Sequence, residues 1–229
     1  MISPQFIRAA RTLDGQFGTE SAAPLLYALV RFIRPRRVFE VGAGLSSLYI
    51  LQALADCAED CRLDQSSNRN VYGKTDWYDE PYLPRLMTLD DRSHGNNKVD
   101  QLMKAVNDLG VDPYLDLRSE VFEGFARKMP TEMLPLDLVW FDCGGAREYI
   151  EFTLQFWPLI NPDGGIIVYH STLTNADLRV FLGVLIERQR ARSEFELLNL
   201  LEPHKKLQNS VSVLRRRSGT VAPLYTWEP

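Results

Sequence analysis

The sequence of 229 residues has little cysteine, no long apolar run and no large excess of charge of either sign. Its three cysteines are too few, and odd in number, for a disulfide framework, so a reducing compartment fits best. No run approaches the ~18 apolar residues that a membrane-spanning helix needs. The first residues also lack the apolar stretch of a secretory signal. We therefore expect a cytoplasmic protein that does not bind a membrane.

The charge balance excludes two further classes of protein. The chain has 26 Lys and Arg against 30 Asp and Glu, a formal net charge of −4, and a hydrophobic fraction of 45%. These values exclude a polybasic arm and a disordered chain. Because binding to nucleic acid relies on concentrated positive charge, nucleic acid is a poor candidate partner and a small molecule is the expected one.

Short apolar strands alternate with amphipathic helices along most of the chain, which predicts parallel strand pairs joined by helical crossovers. Two last apolar segments, separated by a short polar loop, predict an antiparallel hairpin. The pattern as a whole predicts a doubly wound, mostly parallel α/β sheet with helices on both faces. Strands are expected at 38–41, 86–90, 115–118, 136–142, 164–170, 195–201 and 211–215, and helices at 20–34, 45–58, 99–109, 121–129, 146–159 and 177–190.

Residues 59–84 interrupt this alternation with a connection that is long for a compact domain. The segment is rich in aromatic residues, which favours an ordered insertion beside a pocket over surface decoration. We predict a single sheet domain at 36–217, which contains this insertion. A helical cap or lid is expected at 1–35 and a tail at 218–229.

A glycine turn follows the first strand in the segment VFEVGAGLSSLYI, residues 38–50. Gly42 and Gly44 allow a tight turn and a close approach of the backbone to a ligand. The first amides of the next helix favour anionic or polar ligand groups. Ser47 stands where a dinucleotide-binding fingerprint has its third glycine, and no Gly-Lys-Ser/Thr follows, which excludes a P-loop. A plain tight turn between strand and helix remains the alternative.

Three ionisable residues belong to neighbouring strands of the expected sheet. Glu40 lies inside the apolar first strand, where a carboxylate needs donors or a cation nearby. The fourth strand ends at Asp142 and the fifth at His170, and carboxyl ends of such strands meet at one edge of the sheet. We expect His170 to act as a general base oriented by Asp142. A histidine that only caps a strand is the alternative.

The pattern Glu40-x-Gly42-x-Gly44-x-Ser46 resembles the first motif of class I S-adenosylmethionine (SAM)-dependent methyltransferases. The resemblance covers about residues 20–215, and the lead-in RPRRVFEVGAG is similar to the small catechol-type O-methyltransferase branch. It implies a Rossmann-like sheet of seven strands whose last strand is antiparallel, with SAM as cofactor. The cofactor-binding residues that it implies are Glu40, Gly42, Gly44, Ser46, Asp90, Asp91, Ser119 and Asp142.

Within this resemblance each region has an expected role. The glycine turn wraps the methionine part of the cofactor, Asp90 (or, second, Asp91) binds the ribose hydroxyls, and Ser119 with Glu120 lies near adenine. The catechol branch binds Mg²⁺ through an acid or amide pair after the fifth strand, where this chain has His170-Ser171. A metal is therefore not expected, although a softer ion between Asp142 and His170 is an alternative.

We predict methyl transfer to an oxygen or nitrogen of a small-molecule acceptor in secondary or specialised metabolism. The aromatic residues Tyr72, Trp77 and Tyr78 are expected to bind the acceptor by stacking or cation–π contacts. The alternatives are a methyltransferase-like subunit that binds without catalysis and a nicotinamide-dependent oxidoreductase, against which Ser47 argues. A homodimer is the base-rate expectation for assembly.

Overall fold

The computed structural model describes residues 2–14, 18–67, 80–94, 97–192 and 194–217. Its strands are β1 (Arg37–Val41), β2 (Arg85–Leu89), β3 (Leu115–Arg118), β4 (Leu138–Phe141), β5 (Ile166–His170), β6 (Phe195–Leu201) and β7 (Ser210–Arg216). Its α-helices are α1 (Pro4–Leu13), α2 (Ala22–Ile33), α3 (Leu45–Ser67), α4 (Val99–Leu109), α5 (Ala146–Phe156) and α6 (Ala176–Ala191). No helix among these residues combines the length and the apolar character needed to cross a bilayer.

The seven strands form one sheet in the order β3-β2-β1-β4-β5-β7-β6. Strands β1 to β5 are parallel, and β7 runs antiparallel to both β5 and β6. The predicted doubly wound sheet with a terminal antiparallel hairpin is thus confirmed. The strand order reverses between β1 and β4, and ligands of such sheets bind beyond the carboxyl ends of the strands at this point.

The pleat of the sheet divides the core into two layers. Along β4, Leu138 and Trp140 face helices α1 to α4, whereas Val139 and Phe141 face α5 and α6. The second layer is rich in aromatic rings, and Phe141 stacks on Phe152 of α5 with centroids 4.1 Å apart. Helices therefore cover both faces, as the alternating sequence pattern predicts.

The N-terminal helices pack onto the same core as the sheet. Ser3 begins α1 by accepting a hydrogen bond from the Phe6 amide at 3.1 Å, and the Phe6 ring is fully buried, edge-on to Tyr49 of α3 at 4.8 Å. On α2, Leu26 and Val30 are fully buried as well. The division into a cap at 1–35 and a domain at 36–217 stays a prediction.

Helix α3 is longer than predicted. It continues from the expected end at residue 58 to Ser67, so residues 59–67 of the proposed insertion are helical. The reason is a buried helix face that includes Cys57 and Cys61 and packs with Tyr82, whose hydroxyl donates to the Pro35 carbonyl at 2.8 Å. The predicted acceptor-binding residues Tyr72, Trp77 and Tyr78 and the tail at 218–229 lie outside the described residues.

The predicted helix at 121–129 is wrong. Only a short 3-10 turn forms there, at Phe125–Lys128. Gly124 takes a positive φ of 75°, which interrupts an α-helix just where the pattern would require it. The helical spacing of Phe122, Phe125 and Met129 arises because all three are buried against the α5–α6 side of the sheet.

Candidate functional site

A cavity of about 480 Å³ opens at the carboxyl ends of β1, β2 and β4. Its volume falls in the range of ~300–1,000 Å³ that is usual for small-molecule sites. The structure brings several of the sequence-predicted residues together on its wall, namely Gly42, Gly44, Ser46, Asp90, Asp91 and Asp142. The cavity therefore coincides with the place where the strand order reverses.

The glycine turn after β1 is held by hydrogen bonds that its amides donate to the last residue of β2 and to the residue after it. The Gly42 amide donates to the Leu89 carbonyl at 2.8 Å, and the Ala43 amide donates to Asp90 Oδ2 at 2.9 Å. Gly42 has a positive φ of 92°, which L residues rarely adopt. No described atom lies within 4 Å of the position that a Cβ at Gly42 or Gly44 would take. Both glycines thus leave space open beside the cavity.

Ser47 explains why the chain has no third glycine in this turn. Its side-chain oxygen accepts a hydrogen bond from the Gly44 amide at 3.0 Å, which is one of the two hydrogen bonds of a helix capping box. Ser47 is fully buried. The residue that departs from the dinucleotide fingerprint therefore fixes the start of α3.

Glu40 is fully buried below the glycine turn and accepts only neutral donors in the hydrogen bonds described. Ser46 donates its hydroxyl to Oε1 at 2.6 Å and Thr88 to Oε2 at 3.0 Å. Burial raises the pKa of Glu40 to about 7, against the lowering effect of the hydroxyl groups, and the charge of Asp90 raises it further. Glu40 thus ties β1 to β2 and to the start of α3, which matches the expectation that it lies among donors.

The two acids after β2 differ in how firmly they are held. The half-buried Asp90 accepts from the Arg92 amide and from Asn97 Nδ2 through Oδ1, both at 2.8 Å, and from the Ala43 amide through Oδ2. Asp91 is exposed and accepts from the Ser93 amide at 2.9 Å, and hydrogen bonds with the side chain and then the amide of Ser93 lower its pKa. Asp90 is therefore fixed in orientation, whereas Asp91 is open to solvent.

His170 and Asp142 form the pair that the sequence predicts. Nδ1 of His170 lies 3.0 Å from Oδ2 of Asp142, and the imidazole ring lies 5.5 Å from the Trp140 ring, centroid to centroid. Burial lowers the pKa of His170, but the charge of Asp142 and their hydrogen bond outweigh it and leave the pKa raised. Asp142 lines the cavity, but His170 is fully buried and does not. Its Nε2 has no hydrogen-bond partner within the described parts of the chain.

Some wall residues were not identified from the sequence, and three predicted site residues, Glu40, Ser119 and His170, are not on the wall. Ser119 is exposed and is not part of the cavity wall, whereas its neighbour Glu120 is. Phe122 lines the cavity, but its apolar spacing assigned it to a helix. Trp140, which its position in a strand assigns to the core, is both buried and part of the wall. Gln208 of the β6–β7 loop carried no signal in the sequence.

The described residues contain no group of three or more His, Cys, Asp or Glu side chains arranged to bind a metal ion. Asp142 and His170 alone offer one carboxylate and one imidazole. Whether the protein needs a metal stays a prediction from the missing acid or amide pair.

No protein-family model and no curated protein matches the chain. A similar solved structure is the O-methyltransferase TomG from Streptomyces achromogenes, involved in tomaymycin synthesis, in complex with SAM. It has 17% sequence identity and a TM-score of 0.65, and the match covers 95% of this chain and 91% of that one. The O-methyltransferase from Bacillus cereus, in complex with SAH (the demethylated product of SAM), has 13% identity and a TM-score of 0.64 over 94% and 91%. The SAH-bound methyltransferase PaMTH1 from Podospora anserina has 15% identity and a TM-score of 0.64 over 95% and 89%.

At identities this low, the structural similarity shows a common fold alone. The shared features are a sheet of seven strands, mostly parallel, and an antiparallel hairpin at its end, and the matches extend over almost the whole chain. The chain thus has the Rossmann-like fold of the class I SAM-dependent methyltransferases.

Proposed function

We propose that the protein is a SAM-dependent methyltransferase that acts on an oxygen or nitrogen of a small molecule. The observation that carries this proposal is the convergence of the open glycine turn and the fixed carboxylate of Asp90 on one cavity of about 480 Å³. The SAM and SAH complexes of TomG and of the Bacillus cereus enzyme, which share the fold, support it.

The residues on the cavity wall fit the chemistry of this cofactor. Space beside Gly42 and Gly44 admits a ligand close to the backbone, and an ionised carboxylate at Asp90 only accepts hydrogen bonds, as two ribose hydroxyls require. Bound SAM would supply an electrophilic methyl group on a positively charged sulfonium. The acids Asp90, Asp91, Glu120, Glu123 and Asp142 make the wall rich in negative charge.

His170 is the proposed base. With Nδ1 donating to Asp142, the lone pair of Nε2 is free to take a proton from an acceptor O–H or N–H group. Since Nε2 is enclosed, an acceptor can reach it only after a local rearrangement.

A small acceptor suits this cavity better than a nucleic acid. The acidic wall disfavours a polyanion. The synthetic role of TomG supports an acceptor from specialised metabolism. Three free cysteines agree with a reducing compartment such as the cytoplasm.

Isothermal calorimetry with SAM and SAH tests the proposal. We expect both to bind at sub-millimolar concentration, and Asp90→Asn to weaken binding by about tenfold or more through loss of a charge-assisted hydrogen bond. Asp112→Asn is the matched control, because Asp112 is exposed and is not on the cavity wall. If neither SAM nor SAH binds, the proposed function is wrong.

The enclosed Nε2 of His170 favours one second candidate, a subunit with this fold that binds SAM without catalysis. Mass spectrometry across a panel of acceptors, searching for the mass increment of one methyl group, separates the two. Binding without any methylated product would select the second candidate.

A further inference from the structure

Lys205, in the loop between β6 and β7, reaches across to the segment that precedes α2. We call Gly18–Glu20 the strap. Lys205 Nζ donates to the Gly18 carbonyl at 2.7 Å and lies 3.2 Å from Glu20 Oε1, so one side chain makes two contacts with the strap. It also lies 3.3 Å from Glu202 Oε2 on its own loop. The Lys205 side chain is only 13% exposed, which is unusual for a lysine and indicates a structural contact.

The strap and the loop also pack closely at a second place, where Gly18 meets the side chain of Gln208. Gly18 has a φ of 85°, and a Cβ there would lie 1.9 Å from the side-chain oxygen of Gln208. The loop is itself held in shape, since Asn209 Nδ2 donates to the Lys205 carbonyl at 2.7 Å and the Glu202 amide donates to the Asn209 carbonyl at 2.6 Å. Lys205 is therefore presented to the strap by an ordered loop.

The contact between the strap and the loop lies near His170, the proposed base. His170 pairs with Val211 in the sheet, directly beside the end of the loop. The charges of Lys205 and Glu202 both act on the pKa of His170, and the charge of His170 acts on the pKa of Glu20. These three side chains therefore lie within electrostatic reach of an imidazole whose Nε2 is enclosed and without a partner among the described residues.

The strap and the loop also border the cavity. Thr19 and Gln208 both line it, so the strap and the loop border the space in which we place the ligands, and the loop leads into the strand in which Val211 pairs with His170.

We propose that Lys205 is a positioning residue that holds the strap closed over His170, so that Nε2 becomes accessible only when the contacts of Lys205 with the strap break. The closure itself follows from contacts in this chain, whereas its use for admitting an acceptor rests on the proposed function. Closing the strap again around a bound acceptor would exclude water from the site.

Labelling with diethyl pyrocarbonate, mapped by mass spectrometry, tests the proposal because this reagent modifies accessible, neutral imidazoles. The exposed His94 and His204 are references within the same molecule. In the wild type we expect both to react while His170 is protected. In Lys205→Met we expect the rate at His170 to rise by about tenfold or more, since removing one member of a buried ion pair leaves the other uncompensated.

The sign of the electrostatic effect makes the result unambiguous. The charge of Lys205 lowers the pKa of His170, so its removal raises that pKa and leaves less neutral imidazole to react. A faster reaction in Lys205→Met therefore cannot come from the changed pKa and shows that the imidazole has become more exposed. Lys205→Arg, which keeps the charge, is expected to restore protection, and Lys206→Met is the control at a neighbouring exposed lysine.

Two outcomes of the labelling experiment overturn the proposal. One is a His170 that is as protected in Lys205→Met as in the wild type, and the other is a wild-type His170 that reacts as fast as the references. Thermal unfolding identifies a merely structural role: if His170 is exposed only because Lys205→Met unfolds, and Lys205→Arg does not rescue it, the proposal also fails. The affinity for SAM, measured on the same samples, is expected to be the same in Lys205→Met as in the wild type. A wild-type protein that does not bind SAM would contradict the proposed function and not the closure of the strap.

Discussion

At the scale of single residues, Glu40 shows how a buried carboxyl group can be kept without an ion pair. Two hydroxyl groups, from Ser46 and Thr88, occupy its oxygens, and burial raises its pKa to about 7. The sequence indicated an acid in an apolar strand that needs partners. It could not indicate that the partners are neutral, because Thr88 comes from a strand that only the fold brings alongside.

The raised pKa predicts how stability depends on pH. The native state keeps the Glu40 proton up to about pH 7, whereas the unfolded chain releases it near the ordinary value of 4.5. This contribution is fully present below pH 4.5 and is lost as the pH rises through 7. Glu40→Gln has no group that titrates here, so its unfolding free energy should not fall in this way. The difference in unfolding free energy, variant minus wild type, should therefore increase by about 3 kcal/mol between pH 4.5 and 7. Denaturant unfolding at several pH values measures this, and a parallel pair of pH profiles would contradict it.

A second residue-scale prediction concerns the imidazole of His170. Its pKa is raised above 6.5 because Asp142 outweighs burial. Asp142→Asn removes the charge and leaves burial to act, so the pKa should fall below 6.5. NMR titration of the imidazole resonances measures both values without any substrate. An unchanged pKa in the variant would show that Asp142 does not control the base.

At the scale of elements, the unit β1–turn–α3 contains the glycine turn of the candidate site, and its strand, turn and helix start follow from the sequence. Local signals sufficed there, just as they did for α4 and β3, whose ends at 99–109 and 115–118 agree with the structure. They failed for 121–129, where buried residues have helical spacing but only a short 3-10 turn forms. They also failed for the end of α3, which depends on contact with Tyr82. In both places distant packing decides the local structure.

The glycine turn allows a matched pair of variants. Gly42 has a positive φ, so Gly42→Ala should lower the unfolding free energy by about 1–2 kcal/mol. Gly44 does not have a positive φ, so Gly44→Ala should leave stability nearly unchanged. Since either methyl group would project into open space beside the cavity, both variants should weaken SAM binding. Equal stability of the two variants, or full affinity in both, would contradict this account of the turn.

At the scale of the whole molecule, the sheet order explains why residues far apart in sequence share one cavity. The reversal between β1 and β4 sets the glycine turn, Asp90 and Asp142 at one edge, and the alternation of strands and helices predicted this arrangement. The sequence predicted a cap or lid at 1–35, which contains Gly18, but it could not predict the contact with Lys205, since Lys205 and Gly18 come together only through the β6–β7 hairpin.

A crystal structure of the protein grown with SAH is the most direct test of the central claim that this cavity binds the cofactor. We expect electron density within the cavity, between the turn at Gly42–Gly44 and the carboxylate of Asp90. An empty cavity at saturating SAH, or the ligand bound elsewhere on the molecule, would contradict the account.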